Sequence, residues 1–419
     1  MLFFMLLFLF CAVINTIYLK FPQFKIFKNI KKSTNKKNRQ AFLLGLATNL
    51  GVGNLIGVGA AIYYGGPGVI FWMALFAFFA SSFAYSETKY ALNAQEFICG
   101  ETRSGTSFVI KKYFNNKIGL ILSIIFAIFL LLTNSIFFPP IQIHSIIKCV
   151  NKDFQLILGI SLFLFILFIT NKGTKTILKF TDLIVPIMSI IYCVTIIVLI
   201  ILKIDTLVDT LKLIISHALN FRSLVSSGIL ITIEYGISKS LFSHEAGLGT
   251  MPSLIGVAEK EEQNQMCSYQ VLSVLIDTVL LCTLTGIFIL QVTKGVFLCE
   301  VSTVLSYCFE LLLGKIGLVI CSVFIFTFGM ASVVGQFYLG QTNSLFFTFL
   351  SKRHQNNLFH IIFKGLFYLG ILLGIFLSFD RINKILDLGM ICIGILNITV
   401  IFIIQWREKK HIKHLKNKS

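Results

Sequence analysis

The stretch AFLLGLATNLGVGNLIGVGAAIYYGGPG, residues 41–68, decides how the rest of the chain is read. It is apolar enough to lie in a membrane, yet it holds eight glycines, with Gly51, Gly53 and Asn54 near its middle. Glycine costs about 1 kcal/mol in a helix interior, so Gly51-Val52-Gly53-Asn54 at mid-depth marks a point where the helix opens. One span therefore reads as two half-helices. Bare backbone groups in hydrocarbon cost several kcal/mol each, so an opened helix persists there only where protein, ligand or ions satisfy them. The opening is a candidate binding site. Its first half, 41–50, ends in free carbonyls and the negative end of a dipole, which suit a cation. Its second half, 54–64, begins with free N–H groups that suit a carboxylate. One opening can thus hold a small zwitterion beside a metal cation. The competing reading is close helix packing alone, as Gly53-x-x-x-Gly57 would allow. A dinucleotide fingerprint fits poorly, because no strand precedes the glycines.

Composition sets the class. With 56% hydrophobic and 13% charged residues and long uncharged runs, the chain reads as an all-α polytopic membrane protein rather than a barrel of short alternating strands. Leu2–Leu19 lacks the basic start and cleavage site of a signal peptide and reads as a permanent span. Further spans fall at 68–90, 117–139, 154–170, 180–202, 223–259, 266–292, 316–346, 358–378 and 384–405, giving about 11 membrane elements. Most of the 36 Lys and Arg residues lie in alternate loops, which by the positive-inside rule puts the N-terminus outside and the C-terminus inside the cytoplasmic membrane. The basic stretch at 20–40 reads as lying on the anionic cytoplasmic surface rather than on nucleic acid, since it sits between two spans. Glu87 and Lys89 read as snorkelling residues near a cytoplasmic helix end. The basic tail at 406–419 reads as solvated or lipid-facing. The ten cysteines show no CxxC pair and no metal-ligand spacing; they read as small core residues, with a disulfide among Cys149, Cys299 and Cys308 the other option.

The segment 223–259 is too long for one simple span and carries Glu234, Lys239, His244 and Glu245 with Gly236, Gly247 and Gly249. A charge at mid-membrane costs roughly 2.5 to 3.5 kcal/mol on insertion scales, so these residues face protein or water. This reads as a second broken helix, its first half ending near Leu241, the opening at 242–247, and its second half starting near Leu248 to Thr250. Beyond residues 1–40, the chain divides into two sets of five, 41–202 and 223–405, each beginning with a broken helix and oppositely oriented because five is odd. Paired discontinuous helices in two inverted halves point to a secondary transporter with a midplane site.

At these residues the sequence resembles the alanine or glycine:cation symporters, also called sodium:alanine symporters. The matching blocks are GVGNLIGVGAAIYYGGPGVIFWM (51–73), SLFSHEAGLGTMPSLIGVAE (240–259), VLIDTVLLCTLTGIFIL (274–290) and, more weakly, GMASVVGQFYLGQTN (329–343). The resemblance implies a leucine-transporter-like fold of two five-helix inverted repeats with an extra N-terminal helix. It implies Na+-coupled symport of a small amino acid such as alanine or glycine, with H+ as an additional coupling ion in some members. No cofactor is implied. Carried over, it places the substrate carboxylate on the backbone around Gly51, Gly53 and Asn54, puts Phe242, Ser243 and Gln336 at the pocket, and gives Na+ to carbonyls of Ala47, Thr48 and Leu50 with the hydroxyl of Ser332. Glu245 belongs to the motif of the second broken helix and is a possible coupling group. Val52, His244, Gln336 and Gln341 depart from the family pattern, where Thr, Asn, a pocket Trp and often Glu stand. A larger or more polar amino acid is therefore the alternative substrate. His244 either titrates and couples a proton or only hydrogen-bonds as Asn would. Asp277 is an intramembrane carboxylate, either a coupling group or a structural acceptor beside Thr278. An enzyme would need a nucleophile–base pair or metal cluster that the scattered His and Cys residues do not offer. A non-transporting amino-acid sensor and a channel are the remaining rivals.

Overall fold

The computed structural model describes residues 1–30, 35–220, 228–351, 358–376 and 380–416, the side chains of 380–388 and 411–416 excepted. Helices of eight or more residues are numbered below. Apolar runs become helices because only a helix satisfies its own backbone in lipid. They are α1 (Leu2–Tyr18), α2 (Lys36–Asn49), α3 (Ile56–Gly65), α4 (Val69–Asn93), α5 (Thr106–Tyr113), α6 (Lys117–Ile147), α7 (Lys152–Asn171) and α8 (Thr174–Ile201). There follow α9 (Leu207–Ala218), α10 (Gly228–His244), α11 (Lys260–Thr293), α12 (Val304–Leu313), α13 (Lys315–Ser351), α14 (Leu358–Phe376) and α15 (Asp380–Lys416). Eight of the described helices are long and apolar enough to cross a membrane. With α1 and two interrupted helices, the elements occur in the order the hydropathy suggests. The chain is an all-α polytopic membrane protein whose described strands form one small hairpin, β1 (Glu96–Ile98) against β2 (Glu101–Arg103).

Two of the described helices are interrupted. α2 and α3 are separated by a tight turn at Val52–Asn54; α10 leads through 245–250 into a 3-10 helix, Met251–Val257. A short helix, α5, lies between α4 and α6, and another, α12, between α11 and α13. The second opening begins three residues later than the sequence suggests. α10 runs through Phe242 and Ser243 to His244, and the break falls where Glu245, Gly247 and Gly249 take positive φ of 53°, 91° and 80°. Its continuation is a 3-10 rather than an α-helix.

α6 also runs further than the sequence suggests. The sequence bounds this span at 117–139, but a π-helical stretch at Thr133–Phe137 runs into Pro139 and Pro140 and the helix continues to Ile147. α14 closes on this stretch through Gly370, whose Cβ would lie 2.1 Å from the Ser135 carbonyl oxygen. A second π-helical stretch, Leu275–Cys282, lies inside α11.

α1 is fastened to the bundle by buried polar groups. Asn15 donates to Ser82 at 3.0 Å and accepts from Gln405 at 2.7 Å, so α1 is joined to α4 and α15 together. In the basic stretch after it, Phe24 and Phe27 are exposed while Gln23 donates to the Phe78 carbonyl at 2.8 Å. The tail is not a loose appendage through its first turns. Arg407 donates to the Tyr113 carbonyl at 2.9 Å, and Glu408 meets Lys89 at 2.8 Å. Cys149, Cys299 and Cys308 form no disulfide.

Candidate functional site

The first opening is lined differently on its two glycines. Gly51 is packed: a Cβ there would stand 2.9 Å from Gln142 Nε2 and 3.1 Å from Ser332 Oγ. Gly53 faces open space, with no atom within 4 Å of its added Cβ. The Val52 N–H, one of the donors released by the break, is taken by Gln142 Oε1 of α6 at 2.9 Å. Before the break, Thr48 donates to the Gly45 carbonyl at 2.7 Å and packs on Gly335 of α13. Ala47 and Leu50 are fully buried.

Asn54, immediately after the turn, donates to the carboxylate of Asp277 in the π-helical stretch of α11. Ser243, at the end of α10, donates to the other carboxylate oxygen at 2.7 Å, and Thr278 donates to that same oxygen at 2.6 Å. Asp277 is fully buried. One carboxylate thus joins both openings and α11. None of the ion pairs among the described residues brings a Lys or Arg to it. A buried anion without a cationic partner is costly, and a bound cation would relieve that cost.

α13 passes between the two openings. Ser332 and Gln336 lie one helical turn apart on it, which puts both on one face. Ser332 Oγ and Gln336 Oε1 are buried with no protein partner among the described residues, and Gln336 Nε2 reaches Glu245 Oε1 at 3.5 Å. These are atoms a polar ligand can satisfy. His244 is fully buried; its Nδ1 accepts from the Ala246 N–H at 3.0 Å and its ring packs on Phe76. As an acceptor there, Nδ1 carries no proton.

The family model of the sodium:alanine symporters matches residues 1–419. The chain belongs to this family. It is 30% identical over 403 residues to the amino-acid carrier protein AlsT of Bacillus subtilis, covering 92% of this chain and 83% of that protein. It is 29% identical to the sodium/alanine symporter AgcS of Methanococcus maripaludis, covering 72% of this chain and 68% of that protein. It is 26% identical to the probable sodium/glutamine symporter GlnT of Bacillus subtilis, covering 93% and 82%. The protein is therefore a cation-coupled amino-acid transporter of the membrane, not an enzyme.

Within this symporter the residues singled out from sequence separate into groups. Asn54, Ser243 and Asp277 come together in the carboxylate cluster, and Gly51, Ser332 and Gln336 lie between the openings. Phe242 stands apart from them: it is half-buried, with the Lys239 ammonium 5.7 Å from its ring centre. Gln341 lies at the far end of α13, where it accepts from the buried Arg103 at 3.2 Å. Two residues escape the sequence reading. Gln142 lies beyond 139, where the sequence bounds the span that becomes α6. Glu87 is no snorkelling residue; it is 2% exposed and its carboxylate meets the second opening, because the glycine amides there offer it hydrogen bonds that water would otherwise supply. The only available signal was its place inside an apolar run.

Proposed function

We propose that this symporter carries a small amino acid, alanine or glycine, together with Na+ by alternating access around the two helix openings, which head two inverted repeats at 41–202 and 223–405. The observation that carries this reading is the buried Asp277 carboxylate shared by Asn54 of the first opening and Ser243 of the second. A Na+ ion drawn to that unpaired charge, or to the Ala47, Thr48 and Leu50 carbonyls with Ser332, would tie the two openings together. Ordering the first opening then improves the carboxylate site at Gly51 and Gly53, and by linkage the amino acid strengthens Na+ binding equally. Asn54 and Ser243 serve the substrate indirectly, by holding Asp277.

Access fits the same scheme. α2 is buried on nearly every side from Leu43 to Asn49, whereas an accessible line runs from Gly53 in the turn along α3 through Gly57, Ala60 and Tyr64. α10 carries another through Glu234, Tyr235, Lys239 and Phe242, and Tyr64 stacks on Tyr235. Charged residues on such a line belong to water rather than lipid. With the N-terminus outside the cytoplasmic membrane, these lines form an entry from the outside, and Phe242 stands on it.

A second reading, a larger or more polar amino acid, is favoured by the two buried carboxamides, Gln142 and Gln336, with Gln336 Oε1 unpaired. It accords with the name of the GlnT relative. Proton coupling would fall to Glu245 or Asp277. Substrate-induced thermal stabilisation of the purified protein tests the scheme. Alanine should stabilise it in Na+ and not in K+; equal stabilisation in both salts, with Asp277→Asn unchanged, would remove Asp277 from the coupling.

A further inference from the structure

Glu87 lies inside the α4 span and is not used by the scheme above. A buried carboxylate is costly unless hydrogen-bonded, so its partners are informative. They are the amides of the second opening: the Gly249 N–H donates to Oε1 at 3.0 Å and the Gly247 N–H at 3.2 Å. Asn397 of α15 donates to the same oxygen at 2.6 Å and to the Gly247 carbonyl at 3.0 Å. The left-handed backbone at Glu245, Gly247 and Gly249 turns these amides toward one point, a concavity that an anion fills. Side chains are excluded from it: a Cβ on Gly249 would lie 2.5 Å from Phe126, 2.9 Å from Thr106 Oγ1 and 3.0 Å from Asn397 Oδ1. Thr106 of α5 donates to the Gly249 carbonyl at 2.7 Å, closing the other side. The clamp is braced from behind, since Ser86 and Gln405 next to it on α4 and α15 bond each other at 3.1 Å and both bond Asn15 of α1.

We propose that Glu87, oriented by Asn397, is a built-in carboxylate that fills the amide concavity of the second opening through Oε1 and fixes its shape, while its Oε2 stays buried without a partner among the described residues. The Gly247 and Gly249 amides of the second opening are thereby satisfied by the protein itself. The first, whose Val52 amide meets only the neutral Gln142, is left to receive a carboxylate from outside. Glu87 is a positioning residue that acts through backbone and touches no cargo. Its consequence for flux rests on the transport reading; the geometry it sets does not.

The test is hydrogen exchange on the purified full chain, comparing peptides that cover 245–250 and 50–55, alongside uptake kinetics of the same variants in proteoliposomes. Glu87→Gln and Asn397→Ala should each speed exchange at 245–250 by about tenfold or more, the loss expected for a charge-assisted bond, while 50–55 is unchanged. Glu87→Asp should restore part of the protection. Maximal uptake should fall by about tenfold while the half-saturating amino-acid concentration stays within about threefold. Unchanged exchange at 245–250 in both Glu87→Gln and Asn397→Ala would overturn the proposal. So would a loss expressed wholly in half-saturation, which would make Glu87 a substrate contact. Wild-type protein that takes up no amino acid but shows Glu87-dependent protection would sink the transport reading and leave this one standing.

Discussion

Replacing Gly51 by alanine should damage substrate handling far more than the same change at Gly53. Gly51 has φ −114° and ψ −170°, a backbone that alanine adopts freely, so any penalty comes from contact. Its Cβ would sit 2.9 Å from Gln142 Nε2 and 3.1 Å from both Gln142 Oε1 and Ser332 Oγ. The flexible carboxamide must give way, and doing so withdraws Oε1 from the Val52 N–H it accepts at 2.9 Å. Stranding a buried donor costs about 1 to 3 kcal/mol. If the opening binds substrate, that is about a 5- to 150-fold rise in half-saturating amino acid. Gly53→Ala meets open space and should stay within about twofold of wild type. The assay is Na+-driven uptake into proteoliposomes, normalised to correctly inserted protein. Wild-type kinetics for Gly51→Ala, or equal losses at both positions, would refute the reasoning.

Other expectations follow from the same geometry. Gly53→Leu, which fills the open space, should abolish uptake while leaving insertion intact, as read by surface labelling. Asp277→Asn should raise the Na+ concentration for half-maximal uptake by at least about tenfold, since a charge-assisted interaction is worth about 1.5 to 3 kcal/mol; an unchanged Na+ curve would return Asp277 to a structural role. Ser332→Ala should raise the same concentration more modestly, and no shift would exclude its hydroxyl from the ion site. Arg103 is fully buried, pairs with the partly exposed Glu101 and donates to Thr342 at 3.0 Å and Thr174 at 2.9 Å, so Arg103→Ala should cost about 1 to 3 kcal/mol and lower the thermal midpoint. A midpoint equal to wild type would contradict that.

The fold was legible in the sequence where physical costs are large and local. Glycines at 51 and 53 beside Asn54 weaken the helix at mid-span and so mark an opening, and charges at 239, 244 and 245 can sit in a span only against protein or water. What escaped were features set by tertiary partners. The double proline at 139 and 140 stops a helix in isolation, but a π-helical stretch and the close approach of α14 let α6 continue and deliver Gln142 to the Val52 amide. Glu87 two residues before a lysine resembles an interfacial pair, yet the glycine amides and Asn397 lie hundreds of residues away in sequence. The second opening begins at Glu245 rather than near Phe242 because Phe242 and Ser243 keep helical backbone, while Glu245 takes positive φ. Arg407 and Glu408 read as tail residues until Tyr113 and Lys89 are placed beside them.

The most direct measurement is uptake of labelled alanine, glycine and a panel of larger amino acids into proteoliposomes, under an inward Na+ gradient, with K+ replacing Na+, and under a pH gradient alone. The account predicts accumulation of alanine or glycine above the external concentration with Na+ and none with K+ or the pH gradient. Accumulation driven by protons alone, or no concentrative uptake of any amino acid by correctly inserted protein, would contradict it.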